Sequence, residues 1–142
     1  MTTTTTNTNS SLPLVGRLLL ATIFLVSALG KLSAPGATQG YIASVGLPFP
    51  VLSYLAALAI ELGGGLMLVL GYRTRLAALG LAVFSVISAI VFHHALSDQN
   101  QMFHFLKNIA MAGGLLQVVA FGPGAFSLDS RRQTSPAVGF AA

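Results

Sequence analysis

Four apolar runs, at residues 12–29, 51–70, 76–96 and 102–121, take up most of this chain. Each holds about 18 to 21 residues, so each spans roughly 30 Å as a helix, which matches the hydrocarbon core of a bilayer. Inside a bilayer no water is available to the backbone, so such runs must close their hydrogen bonds within themselves. The expected fold is therefore all-α, an integral membrane four-helix bundle.

Charge supports the same conclusion. Only 7% of the residues are charged, against about 25% in soluble domains. With 54% hydrophobic residues, a water-soluble surface could not be built, and lipid must cover the bundle. The net charge of +4 does not point to nucleic acid, because the basic residues are scattered at the ends of the runs and form no stripe interleaved with aromatics. The chain contains no cysteine, so disulfides, thiolate ligands, iron–sulfur clusters and a thiol nucleophile of its own are excluded. Any redox role must use a bound cofactor or a partner.

The connections divide the chain further. Residues 1–11 are a low-complexity polar segment expected to be disordered. Residues 12–126 form the membrane domain, and 127–142 a short cytoplasmic tail. Val26-Ser27-Ala28 has the pattern of a signal-peptidase site, but three further apolar runs follow and a retained first helix is the better reading. Between the first two spans, Ser33 can cap a short helix with Pro35 in its first turn and Gly46 near its end. Residues 37–45 are too short and too polar to span, so this helix is expected to lie at the membrane interface. Gly63-Gly64-Gly65, Ala78 with Ala82, and Ala110 with Gly114 allow close helix approach, read here as packing within one bundle.

Four spans place both termini and the 71–75 turn on one side. Arg17, Arg73, Arg75, Arg131 and Arg132 lie there as orientation anchors, whereas Lys31 lies on the other side and Lys107 a little way inside the fourth span. The positive-inside rule makes the arginine side cytoplasmic.

One carboxylate, Glu61, stands near the middle of the second span, about 15 Å below the outer edge by helix rise. An ionisable group there is costly and normally has a partner or a task. At the outer ends of the spans lie Lys31, His93 and His94, with His104, Lys107 and Asn108 in the first turns of span four. Helical spacing puts His104, Lys107, Asn108 and Met111 on one face, Tyr54, Leu58, Glu61 and Gly65 on another, and Ser27 with Lys31 on a third. These faces are expected to meet in an outward-facing polar pocket within apolar walls. Two readings stay open: an ion pair of Glu61 with Lys107 or Lys31 that fixes helix register, or a pocket for a small polar or redox-active headgroup with Glu61 as candidate proton acceptor. On a helix His93 and His94 point about 100° apart, so one of them and His104 make a bis-His haem geometrically conceivable, though no motif supports it. Walker, Rossmann, HExxH and GxSxG signatures are absent, and no metal site is expected.

Several segments together resemble the DoxX family of small four-helix membrane proteins. They are Gly16-Arg17 with Phe24 and Ser27-Ala28-Leu29-Gly30-Lys31-Leu32, then Gly46-Leu47-Pro48, then Glu61-Leu62-Gly63-Gly64-Gly65 with Gly71-Tyr72-Arg73-Thr74-Arg75. Phe103-His104-Phe105-Leu106-Lys107-Asn108 and Gly122-Pro123-Gly124-Ala125-Phe126-Ser127-Leu128-Asp129 complete the set. The likeness covers about residues 13–130, and it departs at Ala125, where many relatives carry a basic residue. The resemblance implies a bacterial inner-membrane location. It also implies association with oxidoreductase or thiol-stress systems, since similar proteins include a subunit of a thiosulfate:quinone oxidoreductase and a membrane partner of a superoxide dismutase and a sulfurtransferase. The expected role is an accessory membrane subunit contacting quinone, with redox-enzyme subunits as partners and homo-oligomerisation open. The rivals are a non-enzymatic anchor or scaffold and an oligomeric small-molecule permease. Whether the chain is an enzyme stays open.

The threading can be checked directly. A reporter active only in the cytoplasm is expected to work when fused after Ala142 and to be silent when inserted near Gln39. The reverse pattern would overturn the charge-bias argument.

Overall fold

The computed structural model describes residues 11–134. The expected polar segment 1–11, Ser11 apart, and the chain beyond 134 lie outside the described residues. Among the described residues six helices follow one another: α1 (Leu12–Ser33), α2 (Pro35–Ser44), α3 (Pro50–Leu70), α4 (Thr74–Phe92), α5 (Gln99–Phe121) and α6 (Leu128–Thr134). Of these, α1, α3, α4 and α5 are long and apolar enough to cross a membrane. The all-α four-span bundle with a short helix between its first two spans is thus the architecture observed.

The spans form a ring in the order α1, α3, α4, α5. Helix α1 packs broadly on α3, and α4 on α5, while α1 and α5 meet along a narrower seam. Helices α3 and α5 consequently stand on a diagonal. The core is small: Ala21, Phe24, Leu68, Ala78, Leu81 and Leu115 are buried, while Leu19, Leu52, Leu76, Ile90 and Leu116 point outward. In lipid there is little hydrophobic gain from helix association, so close packing of small residues must supply it. A Cβ on Gly64 would stand 2.8 Å from Leu81 Cγ, and one on Gly65 would stand 2.8 Å from a Leu25 methyl. The glycine run therefore serves contacts within this bundle.

Several helix ends differ from the sequence expectation. Ser33 is the last residue of α1, and its hydroxyl donates to Gly30 O at 2.8 Å rather than capping α2. The extra turn keeps Lys31 in helical register with Ser27. Helix α4 stops at Phe92, so His93 and His94 lie beyond it and their side chains do not follow helical spacing. Helix α5 starts at Gln99, a turn earlier than expected, because the Asp98 carboxylate accepts from Gln101 N at 2.9 Å.

The end of the bundle at the α3–α4 turn is tied by polar groups. Gly71, at φ 66°, closes α3 with Gly71 N donating to Leu68 O and Tyr72 N donating to Met67 O, the paired geometry that a left-handed glycine permits. Arg17 is fully buried: its Nη1 donates to Leu68 O at 3.0 Å and its Nη2 donates to Phe126 O. One guanidinium thus joins α1, the end of α3 and the segment after α5. A Cβ on Gly71 would collide with that guanidinium and with Ser127.

The segment after Phe126, expected as a tail, is docked as far as α6. Asp129 N donates to Gly71 O at 2.9 Å, and the Asp129 carboxylate caps α4 from a distance, accepting from Arg73 N, Thr74 N and Thr74 Oγ1 at 2.8, 2.8 and 2.7 Å. Partial burial opposes ionisation of Asp129. The hydrogen bonds from Thr74 and Arg73 and the nearby charge of Arg132 outweigh it and hold its pKa below the ordinary 3.8. The lowered folded-state pKa means that this carboxylate stabilises the fold fully above its ordinary pKa. That contribution fades as pH falls through the lower folded-state value. Replacement Asp129→Asn is expected to cost about 1 kcal/mol in detergent at neutral pH. The gap to the wild type should close in acid, below about pH 4, as read by thermal melts across pH.

Candidate functional site

At the opposite end of the bundle the four spans and α2 line a cavity of about 780 Å³. Its walls are mostly apolar, from Ile23, Phe24, Ile60, Phe84, Ile87 and Met111. Helix α2 covers one side of it through Ala37, Thr38, Tyr41 and Ile42. Tyr41 reaches across to the end of α4, where its ring stacks on Phe92 with centroids 5.5 Å apart and its hydroxyl approaches Phe92 O at 3.4 Å.

The one carboxylate of the cavity and the groups bonded to it lie on α1 and α3. Glu61, only 5% exposed, faces the cavity from α3. Its Oε2 lies 2.8 Å from Lys31 Nζ, and its Oε1 accepts from Lys31 Nζ at 2.9 Å and from Ser27 Oγ at 3.0 Å. Lys31 Nζ also donates to Ser27 Oγ at 2.8 Å. The hydroxyl therefore accepts from the ammonium and donates to the carboxylate, which closes a three-membered network. Tyr54, two turns before Glu61 on α3, donates to Lys31 O at 3.2 Å and holds the end of α1 against α3.

Of the two candidate cations, Lys31 is the partner of Glu61 and Lys107 is not. Neighbouring helices explain this. Lys31 sits on α1, which packs along α3, whereas Lys107 sits on α5, across the diagonal and the cavity from Glu61. Lys107 instead donates to His104 Nδ1, 3.1 Å away, and its own side chain is exposed.

The remaining residues divide into two groups. Lys107, Asn108 and His93 line the cavity together with Lys31 and Glu61. Asn108 is buried and donates through Nδ2 to His104 O at 3.0 Å, a bond within its own helix. His104 does not reach the wall but backs it. Its ring stacks on His93 with centroids 5.0 Å apart and an interplanar angle of 21°. His93 Nδ1 lies 2.9 Å from Gln101 Oε1. The two imidazoles thus meet face to face rather than turning their nitrogens to a common centre. His94 is exposed, its Nδ1 directed to Val91 O at 3.2 Å. The arginine anchors Arg17, Arg73, Arg75, Arg131 and Arg132 are all at the other end. Among the described residues no group of three or more His, Asp or Glu side chains could hold a metal ion.

Sequence reasoning missed the polar contributions of Ser53, Thr38 and Ser88 to the cavity lining. Ser88 had a legible signal, since Phe84, Ser88 and Val91 share one helical face of an otherwise apolar span. Thr38 had none, because the position of α2 over the cavity is a matter of tertiary packing.

Comparison with known proteins gives a consistent result. The family model described as DoxX matches residues 12–94. The chain is similar to inner membrane protein YqjF of Escherichia coli, 34% identical, with 82% of this chain and 88% of that protein aligned. It is also similar to inner membrane protein YphA of the same organism, 32% identical over 83% of this chain and 88% of that protein. No solved structure gives a significant match.

The ion pair makes a quantitative expectation. Glu61→Gln and Lys31→Met should each lower stability in detergent by about 1–3 kcal/mol, because each leaves a buried polar partner unmatched. The double variant should recover part of that loss. The same cycle with Lys107→Met in place of Lys31→Met should be additive within about 0.5 kcal/mol. Additivity in the Lys31 cycle would show that the pair contributes no direct coupling.

Proposed function

The chain belongs to the DoxX family, and on that premise we propose that it is an accessory membrane subunit of an oxidoreductase system in the bacterial inner membrane. In this reading it takes the polar headgroup of a lipid-soluble molecule, with a quinone as the leading class, into the cavity between its spans. The observation that carries the proposal is the cavity itself: about 780 Å³ of apolar-walled space with Lys31, Glu61 and Lys107 in its lining. Pockets of this size, apolar with a few convergent polar groups, are the usual form of small-molecule sites.

The lining suits a ring that carries oxygens. Lys107 Nζ is engaged by a neutral acceptor, His104, rather than by a carboxylate, so it can turn to a ligand oxygen at low cost. Glu61 can exchange a proton, with Lys31 and Ser27 holding its carboxylate in place. The apolar walls would hold the ring and the start of an isoprenoid tail. Electrons would have to come through a bound cofactor or the partner subunit, since the chain has no cysteine; its own residues contribute positioning and proton handling.

The rival reading, a non-enzymatic anchor, draws on the same network, because Lys31, Ser27 and Glu61 satisfy one another without any ligand. Two measurements separate them. A short-chain quinone analogue should bind the purified protein, and Lys107→Met should weaken that binding about tenfold, the loss of one hydrogen bond to a charged donor. In cells Glu61→Gln should abolish the phenotype at matched abundance, because glutamine keeps the shape but takes up no proton. Full function of Glu61→Gln at wild-type abundance would sink the pocket reading and leave the anchor ahead.

A further inference from the structure

The bundle has a second concave site at the end that holds Arg17. A groove of about 440 Å³ is lined by Arg73, Thr74, Arg75, Leu76, Pro123, Asp129 and Arg132. From its composition we infer that this groove binds the phosphodiester headgroup of an anionic membrane phospholipid.

Three arginines converge there from three parts of the fold: the α3–α4 turn, the first turn of α4, and α6. Each has an identifiable support. The Arg75 guanidinium lies against Gly122, where an added Cβ would come within 3.3 Å of Nη2. This position brings positive charge to the C-terminal end of α5, where the helix dipole favours it. The Arg132 guanidinium lies 4.9 Å from the centre of the Tyr72 ring, and that of Arg73 lies 5.9 Å from it. The one carboxylate in the groove, Asp129, is already engaged by the Arg73 and Thr74 amides and the Thr74 hydroxyl. It orders the turn while leaving the groove with an excess of positive charge.

The choice of a lipid over a free anion follows from the position of the groove. It lies at the ends of membrane-spanning helices. Leu76, in its lining, is 61% exposed, and Phe121, the last residue of α5 before Gly122, is 82% exposed. A phosphate seated among the arginines would have its acyl chains running down this apolar flank. A free phosphate would gain nothing from Leu76 or Phe121. Juxtamembrane basic groups gain about fivefold in affinity per charge from anionic lipid, and arginine matches phosphate oxygens with paired donors.

The test uses the full chain in nonionic detergent, with lipid retention read by native mass spectrometry. Wild-type protein should retain phosphatidylglycerol over phosphatidylcholine of the same acyl chains by roughly an order of magnitude or more. In Arg75→Gln/Arg132→Gln that preference should largely vanish while the chain still melts cooperatively in phosphatidylcholine. Equal retention of the two lipids by the wild type would overturn the inference without relying on any variant. An undiminished preference in the double variant would overturn it by putting the lipid elsewhere. Displacement of phosphatidylglycerol by millimolar inorganic phosphate would reassign the groove to a free anion and overturn the lipid assignment.

Discussion

A carboxylate within a hydrocarbon layer has to be neutralised from inside its own bundle, and Glu61 meets that requirement through Lys31. Much of the architecture at this end of the bundle is arranged around this pair. It needs α1 to remain helical one turn beyond its apolar run, so that Lys31 falls over Ser27. It needs α1 and α3 to be adjacent, and the bond from Tyr54 to Lys31 O holds that end of the interface closed. Glu61, paired from α1, is also part of the lining of the cavity that reaches α4 and α5.

The other end is built on the same principle with the charges reversed in role. Arg17 is buried and answers carbonyl groups instead of a carboxylate, those of Leu68 and Phe126. Both oxygens lie where helical hydrogen bonding runs out, and a five-donor guanidinium suits such carbonyls well. Asp129 does the complementary work on amides, supplying the cap that α4 lacks in its own sequence. These two side chains turn the segment after α5 into a structural part of the bundle. Gly71 permits this, because any larger residue would occupy the space of the Arg17 guanidinium.

The two ends therefore differ in character. The arginine end is tightly cross-linked, with Arg17 and Asp129 engaged largely by backbone groups. The Lys31 end is open, roofed by a ten-residue helix that rests on α3 and α1. The Lys31–Ser27–Glu61 network lies on one wall of a large apolar space, and Lys107 with His104 and His93 with Gln101 pair on the α4–α5 side. This asymmetry is the observation behind the ligand proposed for the open end.

Much of this was determined by the sequence alone. Run lengths and the scarcity of charge dictate four spans, since only helices can satisfy the backbone in lipid. The isolation of Glu61 dictates that it has a partner. Helical spacing brought Lys31 with Ser27, and Lys107 with Asn108, to single faces. Only the tertiary structure decided which faces meet. Spacing along a helix says nothing about which helices are neighbours, so Lys31 and Lys107 could not be separated as partners of Glu61 until the ring order put α5 across the diagonal. Likewise His93 and His94 read as helical because their run is apolar, yet the helix stops before them and His93 stacks on His104. The role of Asp129 as the cap of α4 was hidden for the same reason. A contact across 55 positions of chain leaves no periodic signal, because local pattern records only what each segment needs and not who supplies it.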